Sequence, residues 1–441
     1  MYRHHFIDLR GFDMDTVRQM LRKINNGDLD SAFARLYGPK EVPQQRARYA
    51  EALAGFGDWF GYEREVLLFS APGRTEICGN HTDHNHGRVL AASVNLDIIA
   101  AVSPAKDGVI RVKSKGYDLD VVKLDNLKAV ESQKGRSCSL IRGTADGFAQ
   151  NGYKIGGFDA YTVSNVLKGS GLSSSAAFEV LIGTALNHLY NAGGIDPVEI
   201  AKIAQYAENT HFGKPCGLMD QMASSIGGVI AIDFADPQNP DVKKVDFDFS
   251  KTGYHLCIVD TGGNHADLTD EYASVTVEMK AVANALGASC LREVPIGELM
   301  KRIPELRRQH GDRAVLRALH FMRENERVKL QIEALENNDF EEFKRLVVES
   351  GHSSFEYLQN VYTVNNTREQ GLSLALCLAQ GILNNQGAWR VHGGGFAGTT
   401  QNFVPAGLLE EFRSRIEKVF GEGSCHVLNL RPVGGVCVNS H

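Results

Sequence analysis

The sequence has no stretch of apolar residues long enough to cross a bilayer, which takes about 20 residues in a helix. Its first residues, MYRHHFIDLRGFDMD, contain neither the apolar core nor the small-residue cleavage site of a secretory signal. Cationic residues are not in excess, since 47 lysines and arginines stand against 53 aspartates and glutamates, giving a net charge of −6. No basic patch interleaved with aromatic residues is found, and this pattern argues against nucleic-acid binding. We therefore expect a cytoplasmic protein with no membrane or nucleic-acid partner.

Cysteine is too scattered in this chain to form a recognisable metal or disulfide pattern. The eight cysteines include no CxxC pair, so neither zinc spacing nor a compact disulfide framework is present. We interpret them as free thiols in a reducing compartment. The phosphate-binding pattern GxxxxGK[ST] is also absent, so another loop would have to hold any nucleotide phosphates.

The segment 169–177, GSGLSSSAA, has the features of such a loop. Gly169 and Gly171 allow backbone N–H groups to approach an anion closely. The helix-forming run that follows presents unpaired N–H groups and a partial positive charge at its start, which suits phosphate. The serine hydroxyls can bond phosphate oxygens or ligate magnesium. A turn that only caps the helix is the alternative interpretation.

Two other segments are rich in residues that bind ligands. Residues 72–90, PGRTEICGNHTDHNHGRVL, place an arginine, an aspartate and three histidines within a few positions. Residues 390–398, RVHGGGFAG, contain three consecutive glycines, which permit close approach of the backbone to a ligand or another loop. An ordinary hairpin turn would also account for the second segment.

In this order, the three segments closely resemble the signatures of the galactokinase branch of the GHMP small-molecule kinases. The resemblance runs from about Leu67 to the C-terminus. It includes the segment AENTHFGKPCGLMDQ at 207–221, which is similar to the one that carries the catalytic aspartate in that family. Residues 317–328 and 349–365 resemble further galactokinase segments.

The coarse pattern along the chain mixes strands and helices without regular alternation, which favours an α+β fold. Asp13 or Asp15 can cap a first helix that ends at Asn25-Asn26-Gly27, and a second helix is expected from about Pro197 to Asn209. The apolar runs predict strands at 66–70, 94–104, 108–114, 227–234 and 255–261.

The resemblance implies a two-domain GHMP kinase architecture with the active site in the cleft between the domains. We expect a helical N-terminal extension over 1–62, an N-terminal domain over 63–250 and a C-terminal domain over 251–441. The extension is longer than is usual in the family. Its simplest role is a helical cap packed on the main body, and a role in oligomer contacts is the alternative.

The resemblance also assigns the catalytic, nucleotide and metal residues. Asp220 and Arg74 are the expected catalytic pair, with the arginine keeping the aspartate ionised and stabilising charge on the phosphoryl group. Ser175 and Glu208 are the expected magnesium ligands, although Glu208 could instead be a solvated carboxylate on a helix face. A purely structural ion pair is the alternative for Asp220 and Arg74. The expected ATP-binding residues are Gly169, Gly171, Leu172, Ser173, Ser174, Ser175 and Ala176.

The expected sugar-binding residues are Asn80, His81, Asp83, Gly217 and Tyr272. Tyr272 could instead be an ordinary interface residue. Galactokinases usually carry Glu-His-Thr-Asp-Tyr-Asn where this chain has NHTDHN at 80–85. In the family that glutamate faces the C6 end of the sugar, so Asn80 removes a negative charge there, and His84 replaces the tyrosine.

These features predict an ATP- and Mg²⁺-dependent sugar-1-kinase, most simply a galactokinase. A kinase for another galacto-configured sugar, such as galacturonate, is one alternative, because Asn80 would not repel a carboxylate. A non-catalytic sensor of galactose and ATP is the other. We expect a monomer or a weak homo-oligomer that binds a monosaccharide and ATP.

Overall fold

The structure, a computed structural model, describes residues 14–167, 171–263 and 268–440. The strands are β1 (Asp15–Thr16), β2 (Glu65–Cys78), β3 (Arg88–Ala105), β4 (Val109–Ser114), β5 (Leu119–Lys123), β6 (Gly157–Ser164), β7 (Val229–Asp233), β8 (Asp241–Val245), β9 (Tyr254–Asp260), β10 (Ala388–His392), β11 (Thr399–Pro405), β12 (Cys425–Leu428) and β13 (Val436–Cys437).

The helices are α1 (Val17–Asn26), α2 (Asp30–Tyr37), α3 (Val42–Phe60), α4 (Ser137–Gln150), α5 (Ser174–Asn191), α6 (Pro197–Tyr206), α7 (Met219–Ile226), α8 (Thr269–Ala285), α9 (Ile296–His310), α10 (Asp312–Glu336), α11 (Phe340–Ser353), α12 (Gly371–Leu383) and α13 (Leu409–Phe420). Two π-helical turns, Ala207–Phe212 and Ser354–Leu358, directly follow α6 and α11.

The larger sheet is built around the long strands β2 and β3. In the described residues it contains nine strands, with β1, β2, β3, β6, β4 and β5 in that order, β13 beside β2, and β7 and β8 continuing from β3. Strand β3 pairs with β7 near its start and with β6 near its end. Both long strands are buried along most of their length, because helices cover both faces of the sheet.

Alternating residues of β2 feed two separate cores, as the period of two in a strand requires. Leu67 and Phe69 pack with α4 and α5 in one hydrophobic cluster. Val66 and Leu68 pack on the other face with residues of α1, α2 and α3. The helical character predicted for the N-terminal extension is therefore confirmed, and these helices cover one face of the sheet.

A second sheet, with strand order β10-β11-β9-β12, is antiparallel throughout its described strands. Helices α12 and α13 pack on it in one apolar cluster, while α8, α9 and α10 form another with Phe396. The mixture of two sheets and many helices confirms the predicted α+β class. No helix within the described ranges is both long and apolar enough to cross a membrane.

After the second sheet, the C-terminal part of the chain pairs with the larger sheet. Strand β13 pairs with β2, with Val436 opposite Ser70 and Cys437 opposite Phe69. The predicted domain boundaries at 62/63 and 250/251 therefore remain predictions, and the last residues pack with the larger sheet.

Candidate active site

Arg74 and Asp220, which the sequence places 146 positions apart, form an ion pair in the structure. The Arg74 Nε donates to Asp220 Oδ1 at 2.7 Å. Arg74 lies in β2, where the register with β3 shifts between Pro72 and Arg74, and Asp220 lies in the first turn of α7. Burial would raise the pKa of Asp220, but the Arg74 charge and hydrogen bonds from Arg74 and Ser173 hold that pKa below its usual value. Asp220 is therefore a carboxylate at neutral pH.

The predicted phosphate turn lies directly against this pair. The Arg74 guanidinium donates to the Gly171 carbonyl, and the Arg74 backbone N–H donates to the Leu172 carbonyl at 3.0 Å. Ser173 donates its hydroxyl to Asp220 Oδ2. Ser173 has a left-handed backbone, with φ of 55°, which is costly for a residue with a side chain. The Asp220 hydrogen bond helps to hold this conformation.

Helix α5 begins at Ser174, so the predicted turn-to-helix junction is present. Ser174, Ser175 and Ala176 occupy its first turn, where backbone N–H groups lack partners within the helix. The Leu172 and Ala176 side chains are buried, so these two residues offer a ligand only their backbone. Gly169 lies outside the described residues.

Ser175 and Glu208 meet at the start of α5. The Ser175 hydroxyl donates to Glu208 Oε1 at 2.9 Å, and Glu208 projects from the π-helical turn 207–212. The other carboxylate oxygen, Oε2, accepts from Gln221 Nε2 at 2.8 Å, which orients Oε1 towards Ser175.

These two oxygens fit a magnesium ion, because Mg²⁺ takes few protein oxygens and completes its shell with water and phosphate. Among the residues that the structure describes, no group of three or more His, Cys, Asp or Glu side chains could hold a metal. The serine–glutamate pair is the candidate metal position because its two oxygens are 2.9 Å apart beside the predicted phosphate turn.

The predicted sugar residues His81, Asp83 and Gly217 also lie at this site. A Cβ on Gly217 would lie 2.4 Å from Asp83 Oδ2, so a side chain at position 217 would displace the Asp83 carboxylate. Burial raises the pKa of Asp83, and the nearby Asp220 adds to this. His81 is bonded through Nε2 to the Gly394 carbonyl at 2.9 Å, with a left-handed backbone of φ 58°.

Asn80 is held by hydrogen bonds within the protein. Its amide nitrogen donates to the Gly393 carbonyl at 2.6 Å and to Glu76 Oε1 at 3.1 Å. Its amide oxygen accepts from Asn360 at 2.7 Å and from Ser354 at 3.3 Å. The residue is 0% exposed, so it has no hydrogen-bonding group left for a sugar. In this arrangement Asn80 supports the glycine turn from behind, and its expected contact with a sugar stays a prediction.

Tyr272 is likewise committed to the glycine turn. Its hydroxyl donates to the Gly395 carbonyl at 2.7 Å, and its ring stacks edge-on against Phe396 at 5.3 Å between centroids. Burial raises the Tyr272 pKa to about 12, so the hydroxyl keeps its proton. The donor proton that sugar binding would use is therefore engaged within the protein.

Several residues of this region were not identified from the sequence. His392 links the two sheets, with Nε2 3.1 Å from Thr75 Oγ1 and Nδ1 3.0 Å from Thr399 Oγ1. Glu324 of α10 accepts the Gly79 backbone N–H at 3.2 Å and so anchors the turn before His81. His392 directly precedes the glycine run, which was the available signal. No periodic signal marks Glu324.

Burial shifts the pKa values of one carboxyl group and one imidazole behind the site towards their neutral forms. Burial, and then repulsion from Glu208, raises the pKa of Glu179 well above its ordinary value. Gln221 Nε2 lies between Glu179 and Glu208, at 3.3 Å and 2.8 Å. Burial lowers the His84 pKa to about 3, so the imidazole that replaces the family tyrosine is neutral at physiological pH.

The fold and the site define a kinase of the GHMP class. Residues 139–228 match the family described as "GHMP kinases N terminal domain", and residues 54–104 match the "Galactokinase galactose-binding signature". The structure resembles Lactococcus lactis galactokinase complexed with galactose, with a TM-score of 0.75 and 23% identity, over 88% of this chain and 99% of that one. It also resembles Methanococcus jannaschii mevalonate kinase, with a TM-score of 0.58 and 15% identity, over 84% of this chain and 99% of that one.

Curated relatives narrow the class. A Streptomyces coelicolor galactokinase is 33% identical over 377 residues, which cover 84% of this chain and 94% of the relative. A Glaesserella parasuis galactokinase is 32% identical over 365 residues, or 82% of this chain and 91% of the relative. The chain belongs to the galactokinase family.

Proposed function

We propose that the protein is a galactokinase, which transfers the γ-phosphoryl group of ATP to the C1 hydroxyl of α-D-galactose and releases ADP. The observation that carries this proposal is the Arg74–Asp220 pair. It lies between the serine turn, which suits phosphate, and the 80–86 segment, which suits a sugar. Family membership supports the same reaction.

Asp220 is the group that accepts or orients the proton of the sugar hydroxyl. Its lowered pKa keeps it ionised, and its two oxygens are held by Arg74 and Ser173. Arg74 supplies a positive charge where negative charge develops on the phosphoryl oxygens. These two assignments hold whether proton transfer comes before or after phosphoryl transfer.

The nucleotide phosphates bind at the N-terminus of α5, through backbone N–H groups of 171–176 and the hydroxyls of Ser173 and Ser174. Gly169 is retained as part of this proposed loop. Ser175 and Glu208 hold the magnesium ion, which when bound neutralises charge on the phosphates. ATP and Mg²⁺ are thus the proposed cosubstrate and cofactor.

His81, Asp83 and the Gly217 backbone hold the sugar, and Asn80 and Tyr272 fix the turn beside it. This arrangement favours galactose over galacturonate. Asn80 offers no free donor to a uronate, because its amide group is already bonded to Glu76, Gly393 and Asn360. A monomeric or weakly oligomeric state and a cytoplasmic location remain predictions.

A coupled assay of ADP release over a panel of sugars tests the substrate. We expect galactose to be phosphorylated at least about tenfold faster than galacturonate, since a buried polar site rejects an unmatched group. A preference for the uronate would overturn the choice of substrate. No turnover with any sugar, with ATP still bound, would favour the sensor.

The Asp220→Ala variant tests the catalytic assignment. We expect kcat to fall by about 10²–10⁴-fold, with binding of a non-hydrolysable ATP analogue retained. Asp236→Ala is the matched control, because Asp236 is an exposed aspartate in the turn after β7. Equal kcat in the two variants would remove Asp220 from the mechanism.

A further inference from the structure

Lys214 is a cation at the candidate metal site that the mechanism above does not use. Its Nζ lies 3.2 Å from Glu208 Oε1, the same oxygen that accepts the Ser175 hydroxyl. The backbone N–H of Lys214 donates to the Glu208 carbonyl at 3.2 Å, which fixes the base of the side chain. The Lys214 side chain is 62% exposed, whereas Glu208 is 2% exposed, so only the lysine is free to move.

The charges around Lys214 hold its proton firmly. Burial would lower its pKa, but Glu208 first, and then Asp220 and Cys216, raise it above the usual value. Lys214 contacts the candidate metal ligand Glu208, whose other oxygen accepts from Gln221, the residue that follows the candidate catalytic carboxylate Asp220. The transferred phosphoryl group has to lie between Glu208 and Asp220. A metal at Glu208 would bind the phosphoryl oxygens, and Asp220 would contact the sugar hydroxyl that accepts the group.

The charge balance of the site depends on this lysine. Glu208 and Asp220 bring two negative charges, and Arg74, which is paired with Asp220, brings one positive charge. Without Lys214, this set would be net negative where a triphosphate has to bind.

A divalent ion bound at the Glu208 oxygen would repel the Lys214 ammonium group, because like charges at that distance raise the energy. We infer that Lys214 pairs with Glu208 in the metal-free protein and moves to the terminal phosphate of ATP when the metal–nucleotide complex binds. This inference rests on the proposed kinase function, and it makes Lys214 a substrate-contacting residue.

The Lys214→Met variant of the full chain tests the inference by binding, without turnover. Titration calorimetry with magnesium and the non-hydrolysable analogue AMP-PNP is expected to show about tenfold weaker binding, the scale of one charged hydrogen bond. Binding of ADP should change less than about twofold, because ADP lacks the terminal phosphate. Mn²⁺ alone, followed by electron paramagnetic resonance, should bind more tightly because its competitor is gone.

Lys134→Met is the matched control, and Lys214→Arg the conservative variant. Lys134 packs beside Gly213 but pairs with Glu131 at 2.8 Å, so its loss should leave all three affinities unchanged. Lys214→Arg should keep most of the AMP-PNP affinity. Unchanged AMP-PNP affinity, equal weakening of AMP-PNP and ADP, or unchanged Mn²⁺ affinity in Lys214→Met would each overturn the inference. If the unaltered protein binds no nucleotide, it is the proposed function that fails.

Discussion

At the scale of single residues, the Asn80 network explains why an amide replaces the family carboxylate. Glu76 lies four positions earlier and already places a carboxylate 3.1 Å from the Asn80 amide. Arg390 neutralises that carboxylate through an ion pair of 2.7 Å, in which the Arg390 side chain is 0% exposed. A second carboxylate at position 80 would lie beside Glu76, with which Arg390 is already paired. The negative charge has therefore been retained beside the turn, but on Glu76.

The Asn80→Glu variant should destabilise the protein by about 3 kcal/mol or more, the scale of an unpaired buried charge. It also loses the amide donors to Glu76 and to the Gly393 carbonyl. The double variant Glu76→Asn/Asn80→Glu restores one carboxylate and one amide, so it should recover more than half of the loss. Urea unfolding of the four proteins measures this coupling. Strict additivity of the two single changes would contradict it.

Glu179 gives the site a predictable dependence of stability on pH. A carboxyl whose pKa is raised on folding binds more protons when folded, so the free energy of unfolding falls as pH rises above the unfolded value near 4.5. Glu179→Gln mimics the protonated form and removes this dependence. We expect the variant to gain stability relative to the unaltered protein between pH 5 and pH 8.

Urea unfolding at several pH values measures the difference between the two proteins. Glu422→Gln, at an exposed turn before β12, is the control and should run parallel to the unaltered protein. A constant difference for Glu179→Gln at all pH values would mean that Glu179 is ionised in the folded state.

At the scale of elements, the sequence predicted most strands but misread their ends. The run 66–70 was expected to stop before Pro72-Gly73, yet β2 continues to Cys78. Proline and glycine usually end a strand, but a bulge tolerates them, and the register of β2 shifts at this point. The bulge brings Arg74 to the serine turn, so the misread position is part of the site.

The ends of the helices were predicted only in part. The first helix ends at Asn26 and is capped by Gly27, with φ of 86°, as expected. Its cap is Thr16 rather than Asp13 or Asp15, because Thr16 and Gln19 form a reciprocal capping box. The second expected helix, 197–209, ends at Tyr206 and gives way to the π-helical turn that presents Glu208. A single π turn leaves the apolar period almost unchanged, so the sequence does not reveal it.

The N-terminal helices are joined to the larger sheet by a buried polar cluster around Asp97. Tyr37 and Ser70 donate hydroxyl hydrogen bonds to Asp97, and Arg431 donates at 2.9 Å. Asp97 and Arg431 are 0% exposed. A buried carboxylate of this kind depends on every one of its donors.

Tyr37→Phe should therefore lower the free energy of unfolding by about 1.5–3 kcal/mol, the range for a hydrogen bond to a charged group. Tyr62→Phe is the matched control, because Tyr62 also donates to an aspartate, Asp58 at 2.7 Å, but at the surface. Tyr62→Phe should lower the free energy of unfolding by less than about 0.5 kcal/mol. Equal losses in chemical denaturation would show that the Asp97 cluster does not stabilise the N-terminal helices.

At the scale of the whole molecule, the order of motifs allowed the α+β class and the family to be predicted, but long-range contacts were not predictable. His392, Glu324 and Asn360 reach the site from beyond position 320, and although each lies in a segment that resembles a galactokinase motif, the motifs do not show which groups these side chains contact. The pairing of the C-terminal strand β13 with β2 was also not predicted, since β13 has only two residues. Such contacts depend on the packing of elements far apart in the chain.

Because the C-terminal segment packs on the larger sheet, we predict that the first 250 residues do not fold alone. The segment 429–438 supplies β13 and the Arg431 side chain, and the Arg431 backbone bonds to Ser93 and Gly228 at 2.9 and 2.8 Å. A 1–250 fragment would leave Asp97 with Arg48 as its cation and an open edge on β2. We expect it to aggregate, and co-expression with 251–441 to recover a cooperative thermal transition by circular dichroism. Co-expression with 251–428 should not, and a 1–250 fragment that unfolds cooperatively by itself would contradict the prediction.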